Sequence, residues 1–212
     1  MNKRELTQFF MRNKRMVLIL CIIFVLGIIA GTLCVKTLTD NQKTDLINYL
    51  SDFFKVLGDN QDLNKTQMFL QLLIDNAKIF ALVFILGLFS IGIFLTPSLL
   101  LFKGFILGFT IGFILDELYL MGFLFSLFVI FPQNILYIIG LIYSALISTM
   151  MSRQIYISKK RYKISVRPKK NLQQTIYYFS SLLIGFAITA FGCAIEAYII
   201  PVFMIFFSNK LF

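Results

Sequence analysis

Residues Arg153–Lys170, RQIYISKKRYKISVRPKK, hold eight of the chain's twenty Lys and Arg residues and no acid. Long apolar blocks flank them, so the stretch reads as a short loop between membrane spans, and such loops keep their Lys and Arg excess on the cytoplasmic side. The N-terminal stretch is basic too, with Lys3, Arg4, Arg12, Lys14 and Arg15. Two cytoplasmic ends require an even number of crossings between them. Composition points to the same class: 58% of the 212 residues are hydrophobic, more than an aqueous fold of this size can bury. The formal charge of +10 is concentrated beside the spans, where orientation and anionic lipid headgroups account for it. It gives no indication of nucleic-acid binding.

The side-chain inventory is poor in chemistry. Cys21, Cys34 and Cys193 lie in or beside apolar blocks without metal-ligand spacing, and read as small packing residues. The chain has no histidine, which removes the usual general base and metal ligand. No nucleotide loop or nucleophile–base pairing is visible, so we expect no catalytic residue, cofactor or metal and no enzymatic activity.

Outward from the basic loop, the spacing predicts an all-α, polytopic membrane helix bundle forming one integral domain over 1–212. It has about five transmembrane helices, a re-entrant half-helix and an extracytoplasmic amphipathic helix. Residues 1–15 form a cytoplasmic tail, and Met16–Val35 a first span of about twenty residues, or about 30 Å. Its ending, Gly31-Thr32-Leu33-Cys34, lacks a small-residue cleavage site, so we read an uncleaved anchor. Residues 36–76 follow outside, with six Asp against four Lys, and Leu46, Leu50, Phe53, Phe54 and Leu57 make a helical stripe ended by Gly58. That stripe is either an amphipathic face lying on the bilayer or bundle, or a docking surface for an extracytoplasmic partner. Thr66 is the expected N-cap of the helix that leads back to the membrane.

The second span is expected over Ala77–Leu95, with a turn at Thr96-Pro97-Ser98. The third runs from Leu99 to Leu115, ending at Asp116 and Glu117. Gly104, Gly108 and Gly112 give it a face on which another backbone can approach closely, and Gly27 and Gly31 repeat that spacing once in the first span. The block 118–151 is too long for one crossing, and parity allows only one. We therefore assign 118–131 to a re-entrant helix, a break to Pro132, Gln133 and Asn134, and span four to Ile135–Met151. Gly140, Ser144, Ser148 and Ser152 give this span a small-residue stripe to mate with span three, and such stripes leave room for a homo-oligomer. After the cytoplasmic loop 152–174, span five covers about Ile176–Ala197, is broken near Pro201 and leaves the C-terminus outside.

Two charges fall within these spans. Lys103, five residues into span three, is placed to snorkel to the cytoplasmic headgroups. Glu196 is the one acid deep in an apolar block. It is expected half-buried near the outer interface with hydroxyl or amide neighbours, far from Lys103 and without a second titratable group to relay protons.

Three segments resemble the stage II sporulation protein M family: Asp75-Asn76 with Gly87 and Phe102-Lys103-Gly104-Phe105 with Gly108; Phe131-Pro132-Gln133-Asn134-Ile135-Leu136-Tyr137; and Ile195-Glu196-Ala197-Tyr198-Ile199-Ile200-Pro201. Lys103 stands where relatives commonly carry asparagine, and Gln133-Asn134 where broader relatives carry His-Gly. The resemblance implies a membrane scaffold in the mother cell of an endospore former. Such a scaffold holds the peptidoglycan-cleaving sporulation proteins D and P at the septum for engulfment of the forespore. Asn76, Gly104, Gly108, Gly112, Pro132, Gln133, Asn134, Glu196 and Pro201 are then candidates for packing or partner contact. The alternative is a membrane subunit of a transporter, with a separate ATPase, in which the Pro132–Asn134 break and Glu196 line the path.

Overall fold

The computed structural model describes residues 13–59, 64–161 and 172–204, and among these every regular element is helical. The order is α1 (Lys14–Val35), α2 (Asp40–Asp59), α3 (Lys65–Gly87), α4 (Gly92–Phe125), a π-helical turn (Ser126–Ile130), α5 (Phe131–Arg161) and α6 (Leu172–Tyr198). A short helical segment, 200–204, follows. Four apolar stretches are long enough to cross a membrane, but one of them, Gly92–Ser158, has 67 residues. At 1.5 Å per residue that is about 100 Å, three times a bilayer core. Tyr119, with φ 47° and ψ −121°, divides it. Among the described residues the chain is therefore an all-α helix bundle of the membrane-spanning kind, with five segments that can serve as crossings: α1, α3, α4 up to Tyr119, α5 and α6.

Contacts between the helices give their directions. Gly104 lies against Phe24, Gly108 against Ile28 and Gly112 against Thr32, so α1 and α4 run the same way. Asn76 meets Cys193, Phe80 meets Phe186 and Phe84 stacks on Tyr178, so α3 opposes α6. Ser148 bonds to Val83 and Ser152 to Leu86, which makes α5 parallel to α3. Successive crossings thus alternate, and an even number precedes the basic stretch, as its charge requires.

The turn between the second and third crossings differs from expectation. It lies at 88–91, and Pro97 sits inside α4. A proline interior to a membrane helix forfeits one backbone bond, here the one to the Ile93 carbonyl. Beside it Ser98 Oγ donates to the next carbonyl, that of Phe94, at 2.9 Å, and Thr96 Oγ1 pairs with Ser148 Oγ at 3.1 Å. The tight place is Gly92, where a Cβ would collide with the Leu86 carbonyl and Ser152 Oγ.

Pro132–Asn134 is likewise no break. The chain reverses at Tyr119 instead, where Gly122 packs onto the Ile114 carbonyl and Phe125 and Val129 bury against Phe113 and Ile114. Residues 120–131 then continue through the π-helical turn into α5, rather than forming a separate re-entrant helix. π-turns inside helices take up an extra residue and free carbonyls. Gln133 Nε2 donates to Val129 O at 2.6 Å and Asn134 Nδ2 to Ile130 O at 2.7 Å, so the polar pair satisfies the backbone around the proline. The N-cap of α3 is Asn64, whose Oδ1 accepts from Gln67 N at 3.2 Å, and not Thr66.

Two apolar clusters fill the bundle. One joins Leu20, Phe24, Val83, Leu100, Leu146 and Tyr178. The other, at the far end, joins Val35, Phe113, Ile114, Val129 and Ile200. Outward-facing side chains such as Phe94, 73% exposed, and Phe191, 71%, make the surface that lipid covers.

Candidate functional site

Between the two clusters lies a cavity of about 270 Å³ to which all five crossings contribute. Phe24 comes from α1, Asn76 from α3, Lys103 from α4, Asn134 and Tyr137 from α5, and Glu196 from α6. The polar side chains are held individually. Tyr137 Oη donates to Glu196 Oε2 at 2.6 Å. Asn76 Nδ2 donates to the Leu72 carbonyl at 2.9 Å and lies 3.4 Å from Cys193 Sγ. Asp75 lines the same cavity and pairs with Lys78 at 2.7 Å.

Glu196 therefore has the hydroxyl neighbour expected of it, but its relation to Lys103 is not the expected one. Because α4 starts at Gly92, Lys103 is about eleven residues into the helix, roughly 16 Å along its axis and near mid-core. Phe24, its level on α1, is likewise central to that helix. Lys103 lines the cavity together with Glu196 instead of snorkelling, and gives that cavity a second titratable group. Lys103 makes no hydrogen bond or ion pair among the described residues. The arrangement is a cation and a carboxylate on one wet-sized cavity with amide and phenol groups beside them. It can bind a polar or charged group. Among the described residues no group of His, Cys, Asp and Glu is placed to hold a metal.

The glycine run Gly104, Gly108 and Gly112 meets α1, not span four. A Cβ at Gly108 would overlap the Ile28 backbone, and Gly27 and Gly31 receive the backbone of α4 at Leu101 and Phe105 in return. The serine stripe of α5 turns elsewhere. Gly140 and Ser144 face Gly185 of α6, and Ser148 and Ser152 bond to α3 carbonyls. Pro201 is buried just beyond α6. Gln133 is 6% exposed, and its Oε1 has no partner among the described residues.

At the far end of the bundle, Leu46 and Leu50 of α2 pack onto the cluster around Val35 and Phe113. Lys43 bonds to Asp116 and lies 3.7 Å from Glu117 at the tip of the third crossing. The hydrogen bond to Asp116 raises the Lys43 pKa above its ordinary 10.5. Two of the docking candidates thus face the protein's own bundle, while Phe53, Phe54 and Leu57 lie outside the described side chains. The outward face of α2 carries Asp45, Asn48 and Tyr49, the last 75% exposed. The signal for this face in the sequence is a tyrosine set opposite the leucine stripe.

The family model described as Stage II sporulation protein M matches residues 20–201, which include every cavity residue named above. No curated protein and no solved structure matches the chain.

Proposed function

The chain belongs to the stage II sporulation protein M family, and from that premise we propose that this sporulation-related membrane protein is a non-enzymatic scaffold that recruits peptidoglycan-degrading partners to the septum for engulfment. The partners are stage II sporulation proteins D and P, and the wall chemistry is theirs. The family match over most of the chain carries this reading. We orient the single membrane domain with its N-terminus and the 153–170 stretch in the cytoplasm, on the Lys and Arg excess. α2 then lies outside, tied down through Leu46, Leu50 and Lys43, and offers Asp45, Asn48 and Tyr49 to a partner.

The test is a triple substitution, Asp45→Lys, Asn48→Ala and Tyr49→Ala, which leaves the leucines that hold α2 in place. Partner proteins D and P should no longer gather at the septum while the variant inserts normally. Undiminished partner localisation would remove α2 as the docking element.

The cavity favours a second reading, a transporter subunit, since charged groups at mid-depth commonly line substrate paths. Substrate flux by the reconstituted protein that is abolished by Glu196→Gln would support it over scaffolding.

A further inference from the structure

Lys103 is half-buried near mid-core and makes no hydrogen bond or ion pair among the described residues. A lysine at that depth is expected to meet an opposite charge or a wet cavity. Glu196 lines the same space, yet its Oε2 is engaged by Tyr137 and it forms no ion pair with Lys103. Lys103 and Glu196 attract each other across the cavity without closing to an ion pair, an arrangement that a group with both signs of charge can bridge.

Charge and access narrow the occupant. The cavity, about 270 Å³, carries Lys103 and Glu196 on its walls, and its second carboxylate, Asp75, is already paired with Lys78. Both α1 and α3 line the cavity, through Phe24 and Ile79, but they barely touch each other: α1 packs chiefly on α4, and α3 on α6 and α5. The cavity is therefore least sealed on the side between these two helices.

We propose that this cavity binds the headgroup of a zwitterionic amphiphile, a phosphoethanolamine-type lipid whose phosphate meets Lys103 and whose ammonium meets Glu196, admitted from the bilayer through the seam between α1 and α3. Asn76 and Asn134 supply neutral hydrogen-bond partners on the same walls. The site stands independently of the scaffold reading, since it uses no residue of α2.

The full-length protein, purified in detergent and offered phosphatidylethanolamine and phosphatidylglycerol, tests this by native mass spectrometry of the retained lipid. Wild type should retain the ethanolamine lipid about tenfold better. Lys103→Met should reduce retention of both lipids to background. Glu196→Gln should cost the ethanolamine lipid about tenfold and leave phosphatidylglycerol unchanged, because only the former has an ammonium group. Equal retention of both lipids by wild type, or retention indifferent to both substitutions, overturns the proposal. Displacement of the lipid by soluble phosphoethanolamine overturns the lipid as the source. A measurement on wild type alone guards against misfolded variants. A phosphatidylethanolamine with a diazirine near its glycerol should cross-link peptides containing Phe24 and Ile79. Labelling confined to the outer face of α1, at Leu18 and Ile22, contradicts the site.

Discussion

Thr32 of α1 shares its hydroxyl between the Ile28 carbonyl of its own helix, at 2.9 Å, and the Gly108 carbonyl of α4, at 3.2 Å. The second bond exists because residue 108 has no side chain: a Cβ there would occupy the position of the Ile28 backbone. Close backbone approach of this kind is how helices associate where lipid supplies no hydrophobic drive.

Gly108→Ala should therefore separate α1 from α4 and cost about 1–3 kcal/mol, the range for forcing extra methyls into packed interiors. Gly112→Ala should cost less, since its Cβ would stand 3.1 Å from Thr32 Cα and a small shift relieves it. Thermal unfolding of the two variants in one detergent measures the order. Equal stability would mean that the interface is looser than its geometry.

Ser148 joins three helices, donating to Val83 O at 3.0 Å and lying 3.1 Å from Thr96 Oγ1. Ser148→Ala removes both contacts and should destabilise the bundle by about 0.6 kcal/mol, the average for interhelical bonds in membranes, and by no more than about 1.7. Tyr178, whose hydroxyl also reaches Val83 O at 2.9 Å, stays in place and limits the loss. The double variant Ser148→Ala with Tyr178→Phe should lose more than the sum of the singles, as a double-mutant cycle would register.

The crossings were legible because apolar length and basic loops are physical requirements of the bilayer, and the glycine face of α4 because three glycines at one spacing leave little else to explain. The bends were not. Proline reads as a break, yet Pro97 and Pro132 sit in continuous helix, where Ser98, Gln133 and Asn134 bond back to the adjacent carbonyls of Phe94, Val129 and Ile130. Tyr119, an unremarkable residue in sequence, takes the turn because Gly122 and Phe125 pack on the preceding helix. The position of Lys103 depends on where the second and third crossings turn: a third span starting at Leu99 places it at the membrane surface, and a helix starting at Gly92 places it near mid-core, on the cavity that Glu196 also lines.

Tyr137→Phe deletes the donor to Glu196 Oε2 and leaves a partly buried carboxylate short of one bond. A loss of about 1–3 kcal/mol is expected for such an orphaned group. Glu196→Gln keeps an acceptor for Tyr137 and should lose less. Melting temperatures of the two variants decide it, and a greater loss for the glutamine variant would point to the charge rather than the hydrogen bond.

The tether of α2 has a pH signature. Bonding to Asp116 raises the Lys43 pKa above 10.5, so the ammonium's contribution is fully present below that value and is lost as pH climbs through the raised one. Amide exchange in α2 should accelerate over that window in wild type. Lys43→Met should show the faster exchange at neutral pH already, with α1 and α4 unchanged. Exchange in α2 that is indifferent to Lys43 would assign the attachment to Leu46 and Leu50 alone.

The account depends most on which side of the membrane each end of the bundle faces. In a cysteine-free background, single cysteines at Tyr49 on α2 and at Ser165 in the basic stretch can be probed with a membrane-impermeant maleimide on intact cells. Labelling at 49 and protection at 165 until the cells are opened is the predicted result. Labelling at 165 from outside, or protection at 49, would invert the bundle and remove α2 from the extracytoplasmic side, where the proposed docking takes place.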